Sequence, residues 1–364
     1  MNFYESELKA LQRAGRYRER HVSLSELKDF SSNDYLGLAH NKTLHEAATA
    51  KLSTLDAHAT KASMLVSGYH QIHKDFEDAL CKANGFESGV VLGSGFNANI
   101  ALIEALVRNG DTLFMDELYH ASGILASQIG NMDVIYFKHN DMQELRELLR
   151  KSEAKRKIIA VEGIYSMDGD MCSGEVFAIA DEAEAILIVD EAHSSGVVGE
   201  NLMGVFDYYN VAIGPNHIKM GTLGKAYGSF GAFILASSHI IDYLINRAKP
   251  IIYATSLSLY DTLLGHFALE YILQNKENLK KEIALRKSVV YDELGISMSG
   301  LIAAIAVGNN IKVMQIKEAL EQKGFSVGAI RQPTVSSAII RLIARVSEDI
   351  KSLEELCKAV AVIR

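Results

Sequence analysis

Between residues 89 and 235 the chain alternates short apolar runs with amphipathic stretches, and that alternation leaves few folds open. The runs are Gly89–Leu92, Thr112–Met115, Val134–Phe137, Ile158–Val161, Ala185–Val189 and Ala232–Leu235. Four or five apolar residues in a row, with no polar alternate, predict strands buried on both faces. The stretches between them have helical periodicity. Asn97–Val107 is one, and in Met142–Lys151 the residues Leu145, Leu148 and Leu149 share one helical face. Strand and helix in turn predict an α/β fold, a mostly parallel central sheet with helices on both faces.

The last hundred residues change character. Ile311–Lys323 is helical in period and stops at Gly324, while Phe325–Ile330 and Ile339–Ile343 read as short strands. Ser352-Leu-Glu-Glu355 fits either a capping box or the interior of a final helix. The expected organisation is an N-terminal segment (1–35), a large α/β domain (36–245), and a connecting helix with a small α+β domain (246–364). A chain of 364 residues has ample core for this.

Charge and composition narrow the function classes. The net charge is −8 and no lysine- or arginine-rich block occurs, which argues against a nucleic-acid partner. No apolar run approaches membrane-spanning length. The N-terminus lacks a signal-peptide pattern. Cys81, Cys172 and Cys357 are far apart and lack metal-ligand spacing, so no metal site and a reducing, cytoplasmic location are expected.

Two segments suggest chemistry. Val189-Asp-Glu-Ala-His193 is a strand ending in Asp190 and followed by His193; Gly221-Thr-Leu-Gly-Lys225-Ala-Tyr-Gly228 sets a lysine among small residues. A lysine amine can take up the aldehyde of pyridoxal 5'-phosphate (PLP), and a carboxylate can keep its pyridine nitrogen protonated. Gly93-Ser-Gly-Phe-Asn97 follows a strand and opens a helix, where backbone amides can close on a phosphate. The same residues fit the G-x-G-x-x-A dinucleotide fingerprint, with Asp116 about twenty residues on, so a nicotinamide-dependent oxidoreductase stays open. Asp190-Glu-Ala-His193 also spells a helicase-type acidic box, but the G-x-x-x-x-G-K-[ST] loop it requires is missing. His120, just beyond a strand, could stack on a pyridine ring, and Ser166 could donate to the cofactor's phenolic oxygen.

With these segments placed, the chain resembles the α-oxoamine synthases, PLP enzymes of fold type I. The motifs occur in family order: Ser31–Leu38, Val66-Ser-Gly-Tyr69, Glu162–Gly169, Asp190–His193, Thr222–Lys225, Tyr253–Ser256 and Ala329–Val335. Together they span nearly the whole chain from Phe30 onward. Ile330-Arg-Gln-Pro-Thr-Val335 is most similar to the member that acts in biotin synthesis. The resemblance implies a decarboxylative condensation of L-alanine with a pimeloyl thioester, carried by coenzyme A or by a carrier protein. A sibling reaction with glycine or serine and another acyl group is the alternative.

The resemblance also assigns roles. Lys225 would hold the cofactor and move the Cα proton, and Asp190 would pair with the ring nitrogen. His193 and Ser166 would hold the phenolic oxygen, and His120 would stack on the ring. Gly95, Phe96 and Thr222 would hold the phosphate. Thr255 would reach the phosphate of a partner subunit, making a homodimer with a shared active site. Asn33 and Arg331 would grip the amino-acid carboxylate, a task suited to a bidentate guanidinium. Thr60-Lys-Ala-Ser-Met-Leu65 departs from the family's glycine-rich approach to Val66–Tyr69.

Overall fold

Every apolar run named above forms a strand, and three further strands, Lys28–Phe30, His217–Thr222 and Ile302–Gly308, form where no run was expected. A computed structural model describes residues 3–20, 22, 26–129 and 132–363. Its strands are β1 (Lys28–Phe30), β2 (Ser88–Leu92), β3 (Thr112–Asp116), β4 (Asp133–Phe137), β5 (Lys157–Glu162) and β6 (Ile186–Asp190). They continue with β7 (His217–Thr222), β8 (Ala232–Ala236), β9 (Ile302–Gly308), β10 (Phe325–Ile330) and β11 (Ala338–Ile343).

The chain divides into two compact units. The larger holds residues 33–166 and 170–283; the smaller holds 1–32, 167–169 and 284–364. This differs from boundaries set at 35 and 245. The division falls at 283/284, inside the helix Leu259–Leu294, and the N-terminal segment groups with the C-terminal residues.

The larger unit carries a seven-stranded sheet in the order β2-β8-β7-β6-β5-β3-β4. Only β8 runs against its neighbours. β3 and β8 are buried along their whole length, as an apolar strand between two helical layers must be. The core on one side packs Ala98, Ala101, Leu102 and Leu106 of helix Gly95–Leu106 against Ile188, Ile218 and Ile234 of the sheet. β7 was not among the expected strands because Lys219 interrupts its apolar pattern.

The smaller unit has a four-stranded sheet, β1-β10-β11-β9, with helices Asn310–Glu321 and Ile350–Ile363. Ser352 lies inside the last helix. The cap is Asp349, which accepts from the Ser352 backbone N–H at 2.9 Å and its hydroxyl at 2.7 Å.

Candidate active site

In an open α/β sheet, ligands bind beyond the carboxyl ends of the parallel strands. Here β5, β6 and β7 end in Glu162, Asp190 and Thr222. Asp190 is buried, and both its oxygens are held: Oδ1 accepts from the Ala192 amide at 3.0 Å and Oδ2 from Asn99 Nδ2 at 2.9 Å. Glu162 stands opposite Asp190 in the parallel register and is equally buried. Burial, then the charge of Asp190, push the Glu162 carboxyl well above the usual range.

Three residues past Asp190, His193 meets two partners. Its Nε2 is 2.8 Å from Lys225 Nζ, and its Nδ1 bonds to the hydroxyl of the fully buried Tyr35. The turn that presents His193 is anchored by Glu191, which accepts from Ser194 Oγ at 2.5 Å and from the amides of Val205 and Phe206 at 2.7 and 3.3 Å. Lys219 Nζ lies 3.6 Å from the same carboxylate, and neither side chain reaches solvent. Gly204 is obligatory there: φ is +95°, and an added Cβ would fall 1.8 Å from Glu191 Oε2. Glu191 is thus a structural anchor, which accounts for the acidic box without helicase chemistry.

His120 caps the helix Ala121–Gln128, its Nδ1 accepting from the Ser122 amide at 3.2 Å. An N–H can only donate, so Nδ1 is unprotonated and the proton sits on Nε2. Burial pulls the His120 pKa down; the charge of Asp190 works against that and the charge of Lys225 adds to it. The ring is neutral at pH 7. Ser166 is buried just past β5, its amide donating to Glu162 Oε2 at 3.1 Å.

At the opposite end of the site, Ser94 caps the helix Gly95–Leu106, accepting from the Asn97 amide at 3.2 Å. A Cβ built on Gly95 would lie 3.7 Å from Thr222 Cβ, so the first turn of that helix and the end of β7 converge. Phe96 is exposed, as is Thr255 in the loop after helix Lys249–Ile252. Asn33 belongs to the larger unit, its carbonyl accepting from the Tyr35 amide at 2.8 Å. Arg331 belongs to the smaller unit, immediately after β10, and donates to the Gly15 carbonyl at 3.1 Å.

The aminotransferase class I and II family model matches residues 25–360. The chain belongs to the class I and II aminotransferase family. Among its relatives is the 8-amino-7-oxononanoate synthase of Helicobacter pylori, 42% identical over 97% of this chain and 95% of that protein. The enzyme of the same name from Hydrogenovibrio crunogenus is 33% identical over 94% of this chain and 88% of that one. Two solved structures share the fold. A serine palmitoyltransferase from S. paucimobilis superposes with a TM-score of 0.90 at 20% identity, covering 99% of this chain and 97% of that one. The 8-amino-7-oxononanoate synthase of Francisella tularensis gives 0.77 at 24%, covering 93% and 98%.

The fold is therefore that of the type I PLP-dependent transferases, and PLP is the cofactor of this family. The donor set fits it. A half-buried lysine amine, a buried carboxylate at a strand end, and a helix N-terminus beside a threonine hydroxyl suit an aldehyde, a ring nitrogen and a phosphate respectively. The dinucleotide alternative loses its acid. Asp116 is buried and already accepts from His139 Nδ1 at 3.1 Å and the amides of Asn140 and Leu118 at 3.0 and 2.9 Å.

Three site residues escaped the sequence reading. Tyr35 lies within the matched Ser31–Leu38 motif, which marked the segment but not the hydroxyl. Asn99 is a polar residue on the buried face of a mostly apolar helix, and that was the available signal. Glu162 ends a strand in register with Asp190, a pairing visible only once the sheet order is known.

Proposed function

We propose that this chain joins L-alanine to a pimeloyl thioester, releasing carbon dioxide and free thiol and forming 8-amino-7-oxononanoate for biotin synthesis. The observation that carries the reading is a Lys225–His193 pair at 2.8 Å beside a held Asp190, in a chain 42% identical over nearly its whole length to a protein of that name. PLP, when bound, accepts the electron pair freed at the amino acid's α-carbon.

The chain's own residues do the rest. Lys225 holds the cofactor aldehyde at rest and removes the α-proton of L-alanine, with His193 Nε2 within reach of the amine. Asp190 would keep the ring nitrogen protonated, and His120 would stack on the ring. His193 and Ser166 hold the phenolic oxygen; Gly95, Phe96 and Thr222 hold the phosphate. Asn33 and Arg331 bind the alanine carboxylate. The α-carbon bonds to the acyl carbon, the thiolate leaves, the carboxyl departs as carbon dioxide, and a proton returns to the α-carbon. Thr255 serves the phosphate of a second subunit, so the working form is a homodimer with shared sites. The location proposed is the cytoplasm; among the described residues no helix is long and apolar enough to cross a membrane.

Thiol release from pimeloyl-CoA by PLP-loaded protein tests this. Release that needs L-alanine and vanishes in Lys225→Ala supports the proposal. Release with glycine in place of L-alanine transfers the chain to a sibling activity. Release with neither overturns the acyl donor.

A further inference from the structure

Asn99 is 1% exposed and sits one turn into the helix Gly95–Leu106, just past the Gly93–Asn97 motif that opens it. Its amide joins two of the site's side chains. Nδ2 donates to Asp190 Oδ2 and to Ser122 Oγ, both at 2.9 Å. Oδ1 accepts from the hydroxyl of buried Tyr119 at 2.7 Å. A carboxylate accepts only, so the NH2 end must face Asp190, and the Tyr119 hydroxyl fixes the amide that way round.

The donation then runs in one direction. Ser122 Oγ, having accepted from Asn99, turns its own proton to His120 Nδ1, 2.7 Å away. That nitrogen already accepts from the Ser122 amide. The His120 proton is left on Nε2. Glycine at 123 permits the arrangement: a Cβ there would sit 2.2 Å from Tyr119 Cε1 and displace the ring.

We propose that Asn99 is a positioning residue, fixing through one amide both the Asp190 carboxylate and the tautomer of His120. This rests on the assignment of Asp190 and His120 to the two aspects of the cofactor ring. A buried network of this kind, fully satisfied, holds its members in one arrangement, and losing one member releases all of them.

The test loads PLP into wild type, Asn99→Ala and Tyr119→Phe and reads the pH midpoint of the bound cofactor's visible absorption alongside kcat and KM. An Asp190 held less firmly protonates the ring nitrogen less firmly. The ring then draws less electron density from the nitrogen that Lys225 contributes, which titrates higher.

Asn99→Ala is expected to raise the midpoint by about one pH unit. It should lower kcat by about 10- to 100-fold with little change in KM for L-alanine. Tyr119→Phe, which frees the amide to turn, should move both readings the same way by less, and it decides the matter if Asn99→Ala does not fold. A purely structural role would lower the melting temperature and leave the midpoint in place. Wild-type midpoint and kcat in the folded variants overturn the proposal alone. A wild-type protein that takes up no PLP overturns the reading of the site, and the proposal with it.

Discussion

Lys225 Nζ lies 2.8 Å from His193 Nε2, although 32 residues separate them in the chain. The contact puts an imidazole within hydrogen-bond reach of the amine proposed to work at the α-carbon. It depends on two turns. One follows β6 and is anchored by Glu191. The other follows β7 and closes at Gly228, whose amide donates to the Lys225 carbonyl at 3.0 Å. Gly228 has φ +61°, and an added Cβ would sit 2.3 Å from the Ala39 amide nitrogen.

The Tyr35 hydroxyl orients His193 from the far side of its ring. Tyr35→Phe keeps the edge-on ring contact, with centroids 6.0 Å apart, and removes the hydroxyl that bonds to His193. A fall in kcat of about tenfold is expected, with a stability loss of about 1 kcal/mol. Steady-state kinetics and urea unfolding check it; unchanged kcat would show that His193 needs no such guide.

Burial holds the Glu162 carboxyl well above the usual range, and glutamine, its neutral isostere, should replace it with little effect on turnover at neutral pH. The stability effect has a definite sign. A carboxyl with a raised folded pKa contributes fully below the unfolded value of about 4.5, and that contribution fades as pH rises. Glu162→Gln should therefore match wild type near pH 4 and exceed it in stability by pH 7. Unfolding midpoints across that range decide, and a variant less stable at pH 7 than at pH 4, relative to wild type, contradicts the assignment.

His139 bridges two acids, with Nδ1 at 3.1 Å from Asp116 and Nε2 at 2.8 Å from Asp170. Burial opposes its charge, but the hydrogen bonds to the two acids outweigh burial and raise its pKa to about 10. Asn140 bonds Asp170 and the Met171 carbonyl, so the segment following Ser166 is pinned at this point. A raised histidine pKa stabilises fully below the unfolded value near 6.5, and that stability is lost as pH climbs toward 10. His139→Gln should cost about 2 kcal/mol at pH 6.5 and much less at pH 10. Denaturant unfolding at the two pH values measures the difference.

Lys219 is buried against Glu191, its ammonium also reaching the Met203 carbonyl. Removing one partner leaves the other charge stranded. Lys219→Met is expected to cost about 3–5 kcal/mol, and adding Glu191→Gln should recover part of it. A double-variant loss equal to the sum of the two single-variant losses would mean that the pair is not coupled.

Much of the fold is legible in the sequence because apolar periodicity is a local property. Met142–Lys151 and Phe325–Ile330 occupy the residues their patterns mark. β7 is the instructive failure. Lys219 breaks its apolar run, and the charge is tolerated only because Glu191, on the neighbouring turn, is there to pair with it. No window of sequence around Lys219 contains that partner.

The same distinction governs the site. Asp190, His193 and Lys225 carry local signatures, a strand end and a lysine among small residues, so the chain's chemistry could be read from the sequence. Tyr35 and Glu162 lie within matched motifs that do not reveal what their side chains touch, and Asn99 lies in none. Asn99 reaches Asp190 across 91 positions and Tyr35 reaches His193 across 158. Hydrogen bonds act over about 3 Å, and only the packing of the sheet against its helices brings such groups that close. Sequence determined which functional groups the chain possesses; tertiary structure decided which of them touch.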